Sequence, residues 1–229
     1  MREIVLDTET TGLDPAQGHR IVEIGCVELE NHIPTGRTFH RYLNPECSIS
    51  EEVVAVHGLT ERFLSDKPKF AEIIDDFLGF IGSDTTLIIH NAAFDLKFLN
   101  FELARVRQGF VLVNNVIDTI QLARQKFPGS RVNLNELCRR FGIDLSARNF
   151  HGALLDSQLL SEVYLELIGG REPGLTFAAV KQEISLKVAQ PIRFEPVQRP
   201  PRSFEVSPAE LEQHTEFIKK IKNNLWGVS

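Results

Sequence analysis

The stretch Ile4-Val5-Leu6-Asp7-Thr8-Glu9-Thr10-Thr11-Gly12 runs from apolar residues into two carboxylates and then into a threonine–glycine turn. Residues 2–7 read as a buried strand. Strand side chains alternate between faces, so Asp7 and Glu9 point to the same side. Two like charges held this close repel each other unless a cation lies between them or one takes up a proton. Oxygen ligands of this kind suit magnesium or manganese rather than zinc. A pair of solvated acids in a turn fits the triplet alone equally well, so the decision falls to the rest of the chain.

Working outward, residues 21–28 and 38–43 read as two more strands, separated by the turn-like Asn31-His32-Ile33-Pro34-Thr35-Gly36. This pattern predicts an antiparallel meander. Phe70, Ile73, Ile74, Phe77, Leu78 and Ile81 then recur at helical spacing. A short apolar strand over 86–89 ends at His90-Asn91, and a helix follows over about 95–107 with Leu96, Leu99, Leu103 and Val106 on one face. A strand at 116–117 ends in Asp118, with helices expected over 120–127, 134–141 and 152–168. Three strands followed by alternating helix and strand predict an α/β fold, a mixed sheet flanked by helices.

Composition sets bounds on this reading. Of 229 residues, 42% are hydrophobic, enough for one good-sized core with appendages. The net charge of −6 argues against electrostatic binding of DNA by the whole surface, so any nucleic acid must be held by a local groove, by metal ions or with a partner's help. Cys26, Cys47 and Cys138 show no paired spacing and read as thiols in a reducing compartment. The first residues lead straight into a strand and no long apolar span follows, so a cytoplasmic protein with no membrane segment is expected.

The predicted body spans 1–170 and closes at Gly169-Gly170, a plausible helix stop. Six of the eleven prolines then fall between Pro173 and Pro208, so 171–206 reads as a flexible linker. Ser207-Pro208-Ala209-Glu210 forms a capping box with proline at the first helical position. A short amphipathic helix follows within 207–229, with Leu211, Ile218, Ile221 and Leu225 on one side and Trp226 near its end. Such a helix has too little apolar surface to fold alone.

Two further acids stand at element boundaries. Asp95 follows the strand at 86–89, and Asp156 sits in the first turns of a strongly apolar helix, where it is costly unless a partner neutralises it. One such Asp is usually only a favourable dipole contact, but four acids at strand ends and helix starts form a pattern. Asp7-Thr8-Glu9, Asn91-Ala92-Ala93-Phe94-Asp95 and His151-Gly152-Ala153-Leu154-Leu155-Asp156 resemble the three ordered motifs of the DEDD exonucleases, in the subclass with a histidine five residues before the last Asp. His90 to Asp95, Val56-His57-Gly58, Phe127-Pro128-Gly129 and His151 to Asp156 further resemble the proofreading (epsilon-subunit) family of bacterial DNA polymerase III.

That resemblance implies a ribonuclease H-like fold and a 3′–5′ exonuclease acting on a single-stranded or frayed DNA 3′ end. It implies that Asp7, Glu9, Asp95 and Asp156 hold two divalent cations, Mg²⁺ or Mn²⁺, and that His151 is the general base. An imidazole with a pKa near 6.5 suits that role near neutrality. Thr8, Thr10, Gly12, His57, Asn91 and Phe94 are implied contacts of the terminal nucleotide. Taken singly, Phe94 fits a core aromatic as well, His151 a surface residue at a helix entry, and Asp118 a helix cap. Arg105, Arg107, Arg124, Lys126, Arg131, Arg139 and Arg140 make the middle of the chain basic, which reads as charge on solvated helix faces.

In the tail, Glu172-Pro173-Gly174-Leu175-Thr176-Phe177 resembles a sliding-clamp docking peptide, with Glu172 in place of the usual Gln, Leu175 and Phe177 being the apolar anchors. The terminal helix, with Ile218 and Trp226, is expected to dock on the DNA polymerase III catalytic subunit. A stand-alone DEDD exonuclease for RNA or single-stranded DNA turnover is the alternative, and a silent scaffold between clamp and polymerase is a third reading. The intact acidic set argues against the scaffold, and the linker with its helix favours a polymerase subunit.

Overall fold

Among the described residues five strands form one sheet, and the alternation along the first decides what covers each face. The protein is described by a computed structural model over residues 1–107, 112, 115–146, 148, 150–169 and 206–221. Strands β1 (Arg2–Thr10), β2 (Ile21–Glu30) and β3 (Ile33–Tyr42) form the antiparallel meander. Helices α1 (Glu51–His57), α2 (Glu61–Leu64) and α3 (Phe70–Ile81) lead to β4 (Thr86–Ile89), which pairs parallel to β1. After α4 (Ala92–Val106), β5 (Asn115–Asp118) adds parallel to β4, giving the order β3-β2-β1-β4-β5. Helices α5 (Thr119–Lys126), α6 (Leu134–Phe141) and α7 (Ala153–Leu167) complete the body.

Even-numbered Ile4 and Leu6 enter a core with Phe70, Ile73 and Phe77 of α3 and Phe98, Leu99 and Leu103 of α4. Odd-numbered Val5 points the other way, into a core with Ala123 of α5, Leu137 of α6 and Leu159, Leu160 and Val163 of α7. The expected mixed sheet flanked by helices is thus observed. The same parity sends Asp7 and Glu9 towards α7 and Thr8 towards α4. A smaller cluster of Val22, Ile49, Leu59 and Leu64 seats α1 and α2.

Helix α7 is pinned where it matters for the site. Asp7 pairs with Gly25 across the β1–β2 ladder. A Cβ on Gly25 would lie 2.2 Å from the Ala153 carbonyl carbon and the Leu154 nitrogen, so only glycine lets the first turn of α7 rest on β2. Ser157 then donates its hydroxyl to the Gly25 carbonyl at 2.9 Å. Asp156 is thereby carried to the strand that bears Asp7 and Glu9.

Several boundaries differ from the sequence reading. Strand β1 continues to Thr10, so Asp7 lies inside the ladder rather than at its end, and Glu9 inside rather than beyond it. The turn expected over 31–36 contracts to Asn31-His32, both at positive φ (51° and 69°), and Ile33 to Gly36 belong to β3. A two-residue loop with both φ positive matches strand twist, and Pro34 is tolerated because β3 is an edge strand. Helix α4 begins at Ala92, which places Asp95 in its first turn. By contrast, α6 spans the expected 134–141.

The chain divides into two compact units, Met1–Phe177 and Ala178–Ser229. In the second, helix α8 (Pro208–Lys220) carries the expected cap, with Ser207 and Glu210 bonding reciprocally. Ile218 is buried, while Leu211 and Phe217 are exposed. Leu175, Phe177, Leu225 and Trp226 lie outside the described residues. Among the described residues no helix is long and apolar enough to cross a membrane.

Candidate active site

The parallel pairing of β1 with β4 ends at Leu6 and Ile89, and the acids gather just past that point. In open α/β sheets this is where ligands bind. Asp7 and Glu9 come from β1, Asp95 from the first turn of α4 and Asp156 from the first turn of α7. Asp95 is anchored by Thr8, whose backbone N–H and hydroxyl both donate to its Oδ1, at 3.0 and 2.7 Å. Glu9, His151 and Asp156 each present a ligand atom within 4.8 Å of the others. Asp7, Asp156 and His151 line a cavity of about 410 Å³, together with His90 and residues of α6.

The electrostatics are those of a centre short of positive charge. Burial, then Asp95, Glu9 and Asp156, push Asp7 well above the ordinary carboxyl range. Burial, followed by Asp156 and Glu23, raises Glu9 to about 8. Burial raises Asp95 to about 7 against the opposing hydrogen bonds from Thr8. Asp156 goes the other way: burial would raise it, but His151 and Arg148 together hold it below its ordinary value. The Arg148 guanidinium cannot balance four carboxylates, and those carboxylates come from strand and helix positions. The residues fit divalent cations.

Arg148 is the cation that sequence reading missed. It bonds both oxygens of Asp156 from the loop before α7, so the partner that Asp156 requires is built into the chain. Nothing in the residue pattern marks Arg148, because loop geometry alone carries it inwards. Glu23 was also missed: it lies opposite Glu9 on β2 and is held by His40 Nε2 at 2.7 Å. The third omission is Arg20, half-buried and paired with the buried Glu102 at 2.5 and 2.8 Å, which ties the turn after β1 to α4.

The expected nucleotide contacts are dispersed in depth. Thr10 donates its hydroxyl to the Gly12 carbonyl at 2.7 Å. A Cβ on Gly12 would lie 2.4 Å from the His19 ring, so a larger residue there needs that side chain to move. His57 ends α1, is buried and accepts from the Leu59 N–H at 3.0 Å. Asn91 is exposed at φ 71°, a left-handed conformation that asparagine tolerates. Phe94 is half-buried and stacks tilted on Phe98, with centroids 5.1 Å apart. Asp118 caps α5 through the Ile120 N–H and also accepts from the Asn91 N–H, as a capping residue would. His151 is about half exposed (47%), with its backbone N–H on the Val56 carbonyl.

A family model described as Exonuclease matches residues 4–164. The DNA polymerase III subunit epsilon of Rickettsia typhi is 50% identical over 226 residues, covering 96% of this chain and 97% of that protein. The chain belongs to the DNA polymerase III epsilon-subunit family. The epsilon subunit of Escherichia coli is 46% identical over 177 residues, covering 74% of this chain and 72% of that one. The nuclease domain of 3′hExo, a DEDDh family member bound to rAMP, superposes with a TM-score of 0.64 at 21% identity, covering 73% of this chain and 92% of that one. That likeness shows the ribonuclease H-like exonuclease fold. As an epsilon-family protein of the DEDD superfamily, the chain is a 3′–5′ proofreading exonuclease, and the family implies divalent metal ions.

Proposed function

We propose that the reaction is carried by Asp7, Glu9, Asp95 and Asp156 as ligands of two divalent cations, Mg²⁺ or Mn²⁺, with His151 as general base. The observation behind this is the meeting of four carboxylates from β1, α4 and α7, three of them raised by burial and mutual repulsion. When bound, the cations supply positive charge to the scissile phosphate and lower the pKa of the attacking water. His151 takes a proton from that water. The water oxygen joins phosphorus, the bond to the 3′-oxygen breaks, and that oxygen takes a proton from solvent, releasing a nucleoside 5′-monophosphate. Thr8 keeps Asp95 in place, and Gly25 and Ser157 keep Asp156 in place, so the ligands stand ready before substrate arrives. Phe94, His57, Thr10, Gly12 and Asn91 are assigned to the terminal nucleotide, which must leave its stack to reach the acids.

The substrate is a single-stranded or frayed DNA 3′ end, held in a cytoplasmic, nucleoid-associated replication complex. Residues 1–170 form the exonuclease domain and 171–206 a linker, and residues 207–229 dock on the polymerase catalytic subunit through Ile218 and Trp226. Leu175 and Phe177 offer a weaker attachment to the sliding clamp. The metal assignment is tested with Asp7→Ala combined with Glu9→Ala. The double variant should fold, release no mononucleotides and bind Mn²⁺ poorly in a calorimetric titration. Full activity in that variant, or in the parent protein with excess chelator, overturns the assignment.

A further inference from the structure

Arg148 stands on the loop entering α7, and its side chain, 7% exposed, lies among the acids rather than in solvent. Its Nε and Nη2 grip the two carboxylate oxygens of Asp156, each at 2.5 Å, in the planar fork that suits a carboxylate. The same Nη2 donates to His151 Nδ1 at 2.9 Å, and Nη1 donates to the Asn135 side chain on α6. One guanidinium therefore engages two groups that hydrolysis needs free. A guanidinium only donates, so in this contact Nδ1 of His151 accepts, and the same nitrogen lies 3.4 Å from Asp156 Oδ2. The guanidinium thus holds the Nδ1 edge of His151 against Asp156. Both oxygens of Asp156 are likewise turned to the fork.

We infer that Arg148 is a positioning residue that closes the centre when cations are absent. It locks Asp156 to His151, and divalent cations must displace it, freeing a ligand and the base in one movement. This inference rests on the metal-dependent reading above. The fork and a cation draw on the same two oxygens, and the charge of each opposes the other. Asn135 anchors the guanidinium from outside the acidic set, so the locked position is built by α6 as well as by charge.

The test is a calorimetric titration of Mn²⁺ into the full chain and its variants, which does not depend on turnover. Arg148→Gln removes the fork and the charge and should tighten binding by about 10- to 100-fold, the equivalent of the charge-assisted hydrogen bonds no longer broken. Arg148→Lys keeps the charge but loses the fork and should tighten binding by less. Asn135→Leu leaves the charge untouched and should shift affinity in the same direction. In parallel, the ¹⁵N signals of His151 should move on adding Mg²⁺ to the parent protein and should already be moved in metal-free Arg148→Gln. Unchanged or weaker Mn²⁺ binding in both Arg148 variants overturns the inference. So does tightening in the Gln variant with none in the Lys variant, which would reduce the effect to charge alone, or a His151 signal that Mg²⁺ leaves unmoved. Absence of Mn²⁺ binding by parent and variants alike would instead bring down the metal-dependent reading itself. If Arg148→Gln fails to fold, the Lys and Asn135 variants carry the test.

Discussion

At the level of single residues, the acids set how stability depends on pH. Glu9 is raised from 4.5 to about 8 and Asp95 from 3.8 to about 7, burial being the first cause in each. A carboxyl whose folded-state pKa exceeds its unfolded value favours the folded protein while protonated. That contribution is complete below the unfolded pKa and is lost as pH climbs through the folded one. The metal-free protein should therefore melt at progressively lower temperature from about pH 5 to about pH 9, and saturating Mg²⁺ should flatten the trend. Thermal denaturation in chelator across that range checks it, and a metal-free melting temperature that rises with pH contradicts it. For His151, replacement by Ala should slow turnover by about 10²–10⁴-fold, the span expected for a lost general base. Single-turnover rates over a pH series provide the measurement.

At the level of elements, the decisive contact is α7 on β2. Gly25→Ala would place a methyl group inside the backbone of Ala153 and Leu154. Helix α7 must then shift, and Asp156 shifts with it. The expected loss is about 1–3 kcal/mol of stability, the usual range for overpacking. Activity should fall by more than stability alone explains, since Asp7 lies directly across the ladder from Gly25. Urea denaturation and mononucleotide release, measured on the same preparation, separate the two effects. Unchanged activity would mean that the helix start tolerates displacement. The Arg20–Glu102 pair does a comparable job for the turn after β1, joining it to α4 on the opposite face of the sheet.

At the level of the whole molecule, the proposed catalytic residues all lie within Met1–Phe177, the first compact unit. Deleting residues 171–229 should leave exonuclease activity on short oligonucleotides intact while abolishing association with the polymerase catalytic subunit. A tether raises the effective concentration of the nuclease at the primer end, which offsets the weak DNA affinity of a body in a chain of net charge −6. A binding titration with purified polymerase subunit decides it. Equal affinity of the truncated and full chains would remove the tail from that role.

The sequence by itself determined the elements and the acids. Strand alternation set Asp7 and Glu9 on one face, helical spacing placed α3, α6 and α7, and Ser207 with Glu210 marked the start of α8. These are local signals, carried by residues within one or two turns of each other. The ordered motifs brought in Asp95, Asp156 and His151 by resemblance. Only the tertiary structure decided what neutralises those acids and what holds them in place. Arg148 reaches Asp156 from a loop with no periodicity, Thr8 meets Asp95 across 87 positions of sequence, and Gly25 underlies a helix that starts more than a hundred residues later. Contacts between distant segments are fixed by packing rather than by local propensity, so no spacing in the chain announces them.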